Sequence, residues 1–331
     1  MNIFRRNAFK RIAIATSSFA FLGLPTLEAI AENQFPKTAI NIISPYAPGG
    51  INDIVARLIG KELSEMLDVP VVVQNKTGAG GAVGAGELAR EKPDGYTIML
   101  GALGPLGVTK LITPSLAYDP RDFTPIIEVG RAPMILAVNS DLGIQTAEEL
   151  LEKIKEEPGK WNYGSAGIGS PQHLSGALFN QTTGSEITHV AYRGSGPATN
   201  AVAAGEVQIT FENLPPLLPH LQSGKVKPLA VLAPERMNSL PDIPTMKEIG
   251  IENLEVSGWY GFVAPKNLPA KKAKILYETT LQTLDSPEIK ERMEEFGIVV
   301  TGNNGDEFGE LIRSEYERWK PIIEELDIQP E

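Results

Sequence analysis

Two hydrophobic spacings alternate along the chain. Compact apolar runs such as 38–44 predict strands, and apolar positions that recur every three or four residues, as in 54–67, predict helices. With further runs at 69–74 and 96–101 and a small-residue helix at 81–90, the order from residue 38 is strand, helix, strand, helix, strand. This order favours a mostly parallel sheet with helices on both faces, in which the second strand is buried.

A second alternating series begins after two apolar runs that flank Pro133. Thr146 and Glu149 have the spacing of a capping box, which predicts a helix over 147–156. The remaining strands are predicted at 161–165, 188–192, 207–211, 227–233 and 255–264, and the remaining helices at 171–182, 197–204, 216–222, 270–284, 287–296 and 306–326. No strand separates the last three helices, so we expect them to cover the first sheet.

This order predicts an α/β protein of two lobes joined by two chain crossings. We expect lobe 1 to comprise 32–127 plus 257–331, and lobe 2 to comprise 128–256. In the returning strand, Trp259 and Tyr260 are expected to pack at the hinge. Because such folds place ligands at domain interfaces and at the carboxyl ends of strands, we expect a ligand cleft between the lobes.

The first 31 residues have the pattern of a secretory signal peptide. Four cations and no acid occupy 1–11, an apolar run fills 12–24, and small residues end at Ala31. We predict cleavage after Ala31 and a mature protein in the periplasm or another extracytoplasmic space. The apolar run is too short for a stable membrane anchor. Two alternatives stay open: an amphipathic helix packed on the body, and twin-arginine export through Arg5 and Arg6.

Composition argues against several classes of function. The 331 residues contain no cysteine, which excludes disulfides, cysteine-ligated metals and a thiol nucleophile. Three widely spaced histidines argue against a histidine metal site, and we expect no cofactor. With 30 Lys and Arg against 41 Asp and Glu, the net charge is -11, which argues against nucleic acid as a partner. Cleavage after Ala31 would remove four cations and one acid and leave -14.

Three strand-to-helix junctions, at 45–53, 164–173 and 192–197, are rich in glycine and small polar residues. Each opens a predicted helix, whose first N–H groups and partial positive charge attract an anion. Arg193 is the only cation in these loops and no P-loop motif is present, so a small carboxylate fits better than a phosphate. The glycine pattern at 84–89 lies too far from its strand for a dinucleotide site. One such loop is more simply a helix start, but three of them favour a binding cleft.

Several polar residues in or near these loops have two interpretations. Ser170 and His173 are spaced for a contact that a hydrolase would use, but Ser170 also suits a helix N-cap. Asp53 either stabilises the dipole of its helix or contacts the solute. Glu212 and Asn213 either face the cleft or form a solvated strand end.

Short motifs, in order along the chain, resemble those of the tripartite tricarboxylate transporter receptor family, also called the Bug or TctC-like extracytoplasmic solute receptors. The first is Pro48-Gly49-Gly50 with Asp53 three residues further on. The others lie at 72–81, 93–97, 118–125, 163–170 with His173, 189–195, 240–245 and 259–265. The resemblance covers nearly the whole chain from about Phe35.

The resemblance implies a type II periplasmic-binding-protein fold that closes on a small carboxylate without catalysis. In this family, main-chain groups at the positions of Gly49, Gly50, Ser165, Ala166, Gly167 and Ser170 hold the ligand carboxylate. Tyr46 and Glu212 depart from the residues usual at their positions. The full set of expected ligand-binding residues is Tyr46, Gly49, Gly50, Asn52, Asp53, Ser165, Ala166, Gly167, Ser170, His173, Arg193, Gly194, Ser195, Glu212 and Asn213.

The resemblance also implies a partner, a membrane permease with one large and one small subunit. We expect the receptor itself to be a monomer. Two alternatives stay open: a sensory receptor that contacts a two-component sensor kinase, and a secreted enzyme that acts on a small acid. Lobe closure would serve transport and sensing equally.

Overall fold

A computed structural model describes residues 35–329 of the chain. The predicted signal peptide, 1–31, lies outside these residues. Within the described part, no helix has the length and the hydropathy needed to cross a membrane.

Strands and helices alternate through most of the chain. The first series comprises β1 (Ile40–Ser44), α1 (Ile51–Leu67), β2 (Val71–Asn75), α2 (Ala82–Leu88), β3 (Thr97–Ala102), α3 (Thr109–Ile112) and β4 (Thr124–Pro133). The second comprises β5 (Ile135–Asn139), α4 (Ala147–Glu156), β6 (Asn162–Ser165), α5 (Pro171–Thr183), β7 (Thr188–Ala191), α6 (Ser195–Ala204), β8 (Ile209–Glu212), α7 (Leu214–Gln222) and β9 (Val226–Val231). The last comprises β10 (Ser257–Ala264), α8 (Ala270–Asp285), α9 (Pro287–Glu295), β11 (Val299–Val300) and α10 (Gly305–Glu325).

The first sheet has six strands in the order β11-β4-β10-β3-β1-β2. Strands β1, β2 and β3 are parallel, as expected, but β10 pairs antiparallel with both β3 and β4, and β11 is antiparallel to β4. The prediction of a mostly parallel sheet was therefore wrong for this half. The expectation that 69–74 forms a buried strand was also wrong, because β2 lies at the sheet edge and Val72 is 45% exposed. An apolar run does not show whether its strand has one neighbour or two.

The second sheet has five strands in the order β7-β6-β8-β5-β9. Strand β6 is parallel to β7 and β8, whereas β5 is antiparallel to β8 and β9. All five strands lie between residues 135 and 231, and the first sheet takes its strands from both sides of this segment. The chain therefore crosses between the sheets twice, between β4 and β5 and again between β9 and β10. The predicted two-lobe α/β fold is confirmed.

The C-terminal helices cover the first sheet, as the sequence predicted. Phe308, Ile312 and Trp319 of α10 are buried, and the ring of Phe308 meets the ring of Trp259 edge to face with centroids 5.6 Å apart. A Cβ on Gly261 of β10 would lie 2.5 Å from the Phe308 ring, so glycine is needed for this approach. Trp259, which was expected to pack at the hinge, thus packs in the core of the first lobe against α10.

Candidate functional site at three helix N-termini

Three helices begin at the junction between the two lobes. Helix α1 starts after Gly50, α5 after Ser170 and α6 after Gly194. Residues from the first turns of all three helices, Ile51, Pro171, Gln172 and Ser195, line a small cavity of about 10 Å³, here called the inner cavity, together with Tyr46, Asn52, Ala102, Ala166 and Tyr260. Helix α1 belongs to the first lobe, and α5 and α6 belong to the second. The anion-attracting ends of helices from both lobes therefore converge.

A wider cavity of about 650 Å³, here called the outer cavity, adjoins the inner one. Its walls come from 77–82 and 109–116 of the first lobe and from 166–168 and 191–193 of the second, and both cavities are lined by Tyr46 and Ala166. Its volume lies within the usual range for small-molecule pockets. The inner cavity has room for about one water molecule, so of the two cavities only the outer one has the volume of a small-molecule site.

The facing loops touch across the cleft. The backbone N–H of Ala47 donates a hydrogen bond to the carbonyl oxygen of Arg193 at 3.2 Å. A Cβ on Gly50 would lie 3.3 Å from Ser195 Cβ, and a Cβ on Gly194 would lie 2.8 Å from the nitrogen of Ala47. The glycines therefore allow the backbones of the two lobes to approach, and the structure is that of a closed receptor.

In the first loop, the Asp53 carboxylate is held by groups of its own lobe. It accepts hydrogen bonds from Gly49 N (3.1 Å), Asn75 Nδ2 (2.9 Å) and Arg57 Nε (2.9 Å). Burial alone would raise the pKa of Asp53, but the bonds from Arg57, Asn75 and Gly49 outweigh burial and leave this pKa below its usual value. Asn75 Nδ2 also donates to the carbonyl oxygen of Tyr46 at 2.9 Å. The Asp53 carboxylate therefore fixes the shape of the loop.

Tyr46 and Asn52 lie beside Asp53 and point into the protein. The Tyr46 hydroxyl donates to the carbonyl oxygen of Gly80 at 3.1 Å, and Asn52 Nδ2 donates to the carbonyl oxygen of Leu100 at 3.1 Å. Both side chains are buried and both line the inner cavity. Burial first, and then the negative Glu212, raise the pKa of the Tyr46 phenol far above its usual value, so this group stays a neutral hydrogen-bond donor.

The loop before α5 is held by hydrogen bonds within the second lobe. Ser170 Oγ accepts from His173 N at 3.3 Å, which confirms Ser170 as the helix N-cap. Ser165 Oγ accepts from Gly167 N at 3.1 Å, and His173 Nδ1 accepts from Gly169 N at 3.1 Å. With Nδ1 used in this way, His173 positions the loop backbone.

His173 also packs against a second histidine that the sequence did not single out. The rings of His173 and His189 stack with centroids 4.0 Å apart, and His189 Nε2 is 2.5 Å from Ser165 Oγ. Burial and then the neighbouring His189 lower the pKa of His173 to about 3, and burial lowers the pKa of His189 to about 4. Both imidazoles are therefore neutral at physiological pH. No hydrogen bond among the described residues gives either ring a carboxylate partner of the kind that a Ser-His-Asp triad requires.

A buried polar cluster lies behind the inner cavity. Gln172 Nε2 donates to Ser195 Oγ at 2.9 Å and to both carboxylate oxygens of Glu212 at 2.9 and 3.1 Å. The backbone N–H of Asn213 donates to Glu212 Oε1 at 2.8 Å. Glu212 is fully buried, so the solvated strand end considered from the sequence is wrong. Burial raises the pKa of Glu212 to about 7, although the bonds from Asn213, Gln172 and Ser195 act in the opposite direction.

Asn213 connects the second lobe to the crossing strands. Its Nδ2 donates to the carbonyl oxygens of Ala132 (3.0 Å) and Pro133 (2.9 Å), and its Oδ1 accepts from the Tyr260 hydroxyl at 2.6 Å. Tyr260 therefore packs at the hinge, as expected, and in addition lines the inner cavity. Asn213 lies at the hinge rather than at a cavity wall.

Arg193 differs from the other predicted site residues because its side chain is exposed. It lines the outer cavity, and among the described residues that line this cavity it alone carries a positive charge. Gly194, with a φ of +147°, and Ser195 follow it and form the start of α6. No group of three or more metal-ligating side chains was found in the described part of the chain.

The structure thus gathers most of the predicted residues at one cleft and adds others. Gln172 and the loop 77–82 line the two cavities, and His189 supports the loop before α5, but none of the three was selected from the sequence. Gln172 could have been identified from the sequence, because it is a polar residue in the first turn of a helix whose N-terminus was expected to face an anion site. His189 has no comparable local signal, because its partner Ser165 lies on the neighbouring strand.

Comparison with known proteins supports the family resemblance of the sequence motifs over most of the chain. The family model described as the tripartite tricarboxylate transporter family receptor matches residues 55–328. Protein BugT of Bordetella pertussis is 33% identical over 98% of both chains. The structure of R. palustris Rpa4515 with adipate covers 90% of this chain and 100% of its own, with a TM-score of 0.87 and 32% identity.

A further structural relative carries a different acid. MatC of Rhodopseudomonas palustris, with bound malate, covers 87% of this chain and 100% of its own, with a TM-score of 0.83 and 30% identity. These relatives are binding proteins and share the two-lobe fold. The chain therefore belongs to the tripartite tricarboxylate transporter receptor family, whose members are periplasmic solute-binding proteins.

Proposed function

We propose that the protein is an exported receptor that binds a small carboxylate between its lobes and delivers it to a tripartite membrane transporter. In this proposal lobe 1 comprises 32–127 plus 257–331 and lobe 2 comprises 128–256, although the end of β4, 128–133, still pairs in the first sheet before the chain crosses. Residues 1–31 are the signal peptide that directs export to the periplasm. Its partners are the large and small permease subunits, and the receptor acts as a monomer.

One observation carries the proposal: helix N-termini from both lobes meet at a single closable cleft. Helices α1, α5 and α6 have 17, 13 and 10 residues, and Gln172 of α5 hydrogen-bonds Ser195 of α6 opposite Gly50 of α1. Each N-terminus carries about half a positive charge, and α1 and α6 have no side-chain cap, whereas in α5 Pro171 has no N–H and the His173 N–H is bonded to Ser170. A carboxylate placed between them would accept hydrogen bonds from both lobes, so binding would favour closure.

The predicted site residues take different roles in this proposal. The N–H groups of Gly49 and Gly167 already donate to side chains of their own loops, so the carboxylate is held by the amides at the helix starts, from Gly50 and Ser195 onward. Asp53, Ser165, Ser170 and His173 keep the loops in shape. Tyr46, Asn52 and Ala166 form the cavity wall, and Arg193 attracts the anion at the mouth.

The relatives support a carboxylate as the solute, since one contains adipate and another malate. They also support a receptor without catalysis. The short contact between Ser165 and His189 is the nearest approach to a nucleophile pair in the cleft, but Ser165 Oγ is simultaneously used by Gly167 N. The sensor-kinase partner stays an alternative prediction, and an adjacent permease or kinase gene would separate the two roles.

A thermal-shift screen of mono-, di- and tricarboxylates, amino acids and aromatic acids tests the proposal on the purified, ligand-stripped protein. A bound acid at a hundredfold excess over Kd stabilises the receptor by about 2.7 kcal/mol, which raises Tm by roughly 5 °C for a chain of this size. Uptake of the best acid into vesicles that hold both permease subunits should then depend on added receptor. A ligand-stripped protein that binds none of these acids would contradict the proposed function.

A further inference from the structure

One residue that lines the inner cavity has an unpaired hydrogen-bond acceptor. Gln172 is 3% exposed and lines this cavity, and among the described residues no group donates to its Oε1. A buried amide oxygen without a donor is costly. Such an atom at a binding cleft marks a place where a ligand group is expected to donate.

The orientation of this amide is fixed by Glu212. A carboxylate accepts hydrogen bonds and cannot donate them, whereas an amide has one donating end and one accepting end. While Glu212 is ionised, the NH₂ end of Gln172 must therefore face it, and in the structure this end makes bonds of 2.9 and 3.1 Å to the carboxylate. The carbonyl end is consequently turned away from Glu212, and among the described residues no group donates to it.

Among the described residues, the groups that face Glu212 do not include a cation. They are Gln172, Ser195, the backbone of Asn213 and the neutral phenols of Tyr46 and Tyr260. A solute bearing only carboxylates would bring a further negative charge towards this buried acid and would leave Gln172 Oε1 unpaired. A solute that also bears a donor would satisfy the acceptor.

We propose that Gln172, oriented by Glu212, makes the receptor selective for acids that carry a hydroxyl or ammonium group beside the carboxylate. The inference rests on the proposed function, because the carboxylate itself is bound at the helix N-termini. Gln172 contacts the solute donor, and Glu212 is a positioning residue that acts through Gln172. The shared chemistry is an O–H or N–H donor on the carbon next to the carboxylate.

The experiment compares acids of one carbon skeleton, that of the best acid in the screen, with hydrogen, hydroxyl or ammonium on the carbon beside the carboxylate. For a four-carbon diacid these probes are succinate, malate and aspartate. Kd is measured by calorimetry at pH 8.5, where Glu212 is ionised. One hydrogen bond changes affinity by roughly tenfold, so malate or aspartate should bind at least tenfold more tightly than succinate. The preferred member of the pair identifies the donor.

Variants locate this preference. In Gln172→Met the preference for the donor-bearing acid should fall to within about twofold, and in Glu212→Gln, where the amide at 172 can turn, it should fall at least threefold. Gln181→Met is the matched control, because Gln181 lies on the same helix and also bonds a glutamate, Glu325, but is exposed; its preference should be unchanged. Gln172→Met and Glu212→Gln provide independent tests should one variant not fold.

Two results would overturn the inference without touching the proposed function. The first is that the unsubstituted acid binds as tightly as its hydroxy and amino derivatives. The second is that the donor preference survives in Gln172→Met or Glu212→Gln. If instead no acid of any class binds, the proposed function itself fails.

Discussion

Gly196 offers a direct test of lobe closure. It lies in the first turn of α6, and a Cβ placed on it would lie 2.7 Å from the carbonyl oxygen of Pro48 in the opposite lobe. A real Cβ does not come this close to a backbone oxygen, so Gly196→Ala obstructs the closed form. We expect an open form to lack this contact, because separation of the lobes would move Pro48 away from α6.

The expected size follows from two opposing effects. Overpacking by one methyl group costs about 1–3 kcal/mol, and here it falls on the closed, solute-binding form alone. Gly196 precedes Pro197, and a Cβ on the residue before a proline disfavours the helical conformation, which offsets the usual gain from replacing glycine by alanine in a helix; this balance is the same in the open and closed forms. Gly196→Ala should therefore weaken solute binding by roughly 5- to 150-fold, while Tm of the protein without solute stays near that of the parent protein.

The assay pairs affinity with a measure of opening. Kd for the best acid of the screen is measured by calorimetry. Because the chain has no cysteine, Val72→Cys and Leu142→Cys, both at exposed positions in different lobes, can carry spin labels whose separation reports closure. In Gly196→Ala the solute should shorten this separation less than in the parent protein.

Gly86→Ala is the matched control. Gly86 is also a helical glycine, but its added Cβ would lie 3.8 Å from Arg90 Nη1 and Tyr118 Cδ1, which is ordinary contact. It should bind like the parent protein. If Gly196→Ala also binds like the parent, the lobes do not close as the structure has them. If it loses affinity and stability together, the defect lies in folding rather than in closure.

Two further predictions concern the loops. Asp53→Asn should lower the free energy of unfolding by about 1–3 kcal/mol, because it weakens bonds to Arg57 and Gly49; unchanged stability in urea with loss of the solute-induced Tm shift would instead make Asp53 a ligand contact. The buried histidines should lower stability as pH falls below 6.5, by up to about 1.4 kcal/mol per pH unit each. The reason is that the unfolded state binds protons in this range, whereas the folded state does not bind them until the pH approaches its own pKa, about 4 for His189 and about 3 for His173. Calorimetric Tm between pH 7 and 4.5 should fall less in His189→Gln, and an equal fall would contradict the assigned burial.

Local signals predicted the elements well. Helix α4 occupies 147–156, as expected, because Thr146 caps it, and α5 begins at the predicted Pro171. The capping box at Thr146 is only half formed: Thr146 Oγ accepts from Glu149 N, but the Glu149 carboxylate accepts from Gln145 N rather than from Thr146 N. Helix caps and prolines act on the nearest turn of the chain, so a short stretch of sequence contains the residues that determine where these helices begin.

Strand pairing was predicted less well because it depends on distant residues. Strand β11 has only two residues and exists through pairing with β4, where Val299 lies opposite Arg131. The antiparallel entry of β10 between β3 and β4 likewise follows from the path of the whole second lobe. The local pattern of apolar positions indicates neither of these strand pairings.

The site shows the same division. The three loops could be predicted because glycine before a helix start has one main physical use in this setting, the approach of another backbone or a ligand. The direction in which each side chain points could not be predicted. Asp53 turns back to Gly49 and Arg57, and Gln172 turns towards Glu212, and both directions are set by partners that lie 4 to 40 positions away.

The acidity of the chain, with a net charge of -11, means that its overall field does not draw an anion into the cleft. Recognition must then come from groups whose effect is short-ranged. Helix N-termini meet this requirement, because their partial charges act within about one turn and do not titrate. In the buried polar cluster of Gln172, Ser195, Glu212 and Asn213, by contrast, Glu212 has a pKa of about 7, so its charge can change near neutral pH. If the orientation of the Gln172 amide depends on the charge of Glu212, the helix N-termini explain why an acid binds, and the Glu212 carboxyl determines which acids bind most tightly.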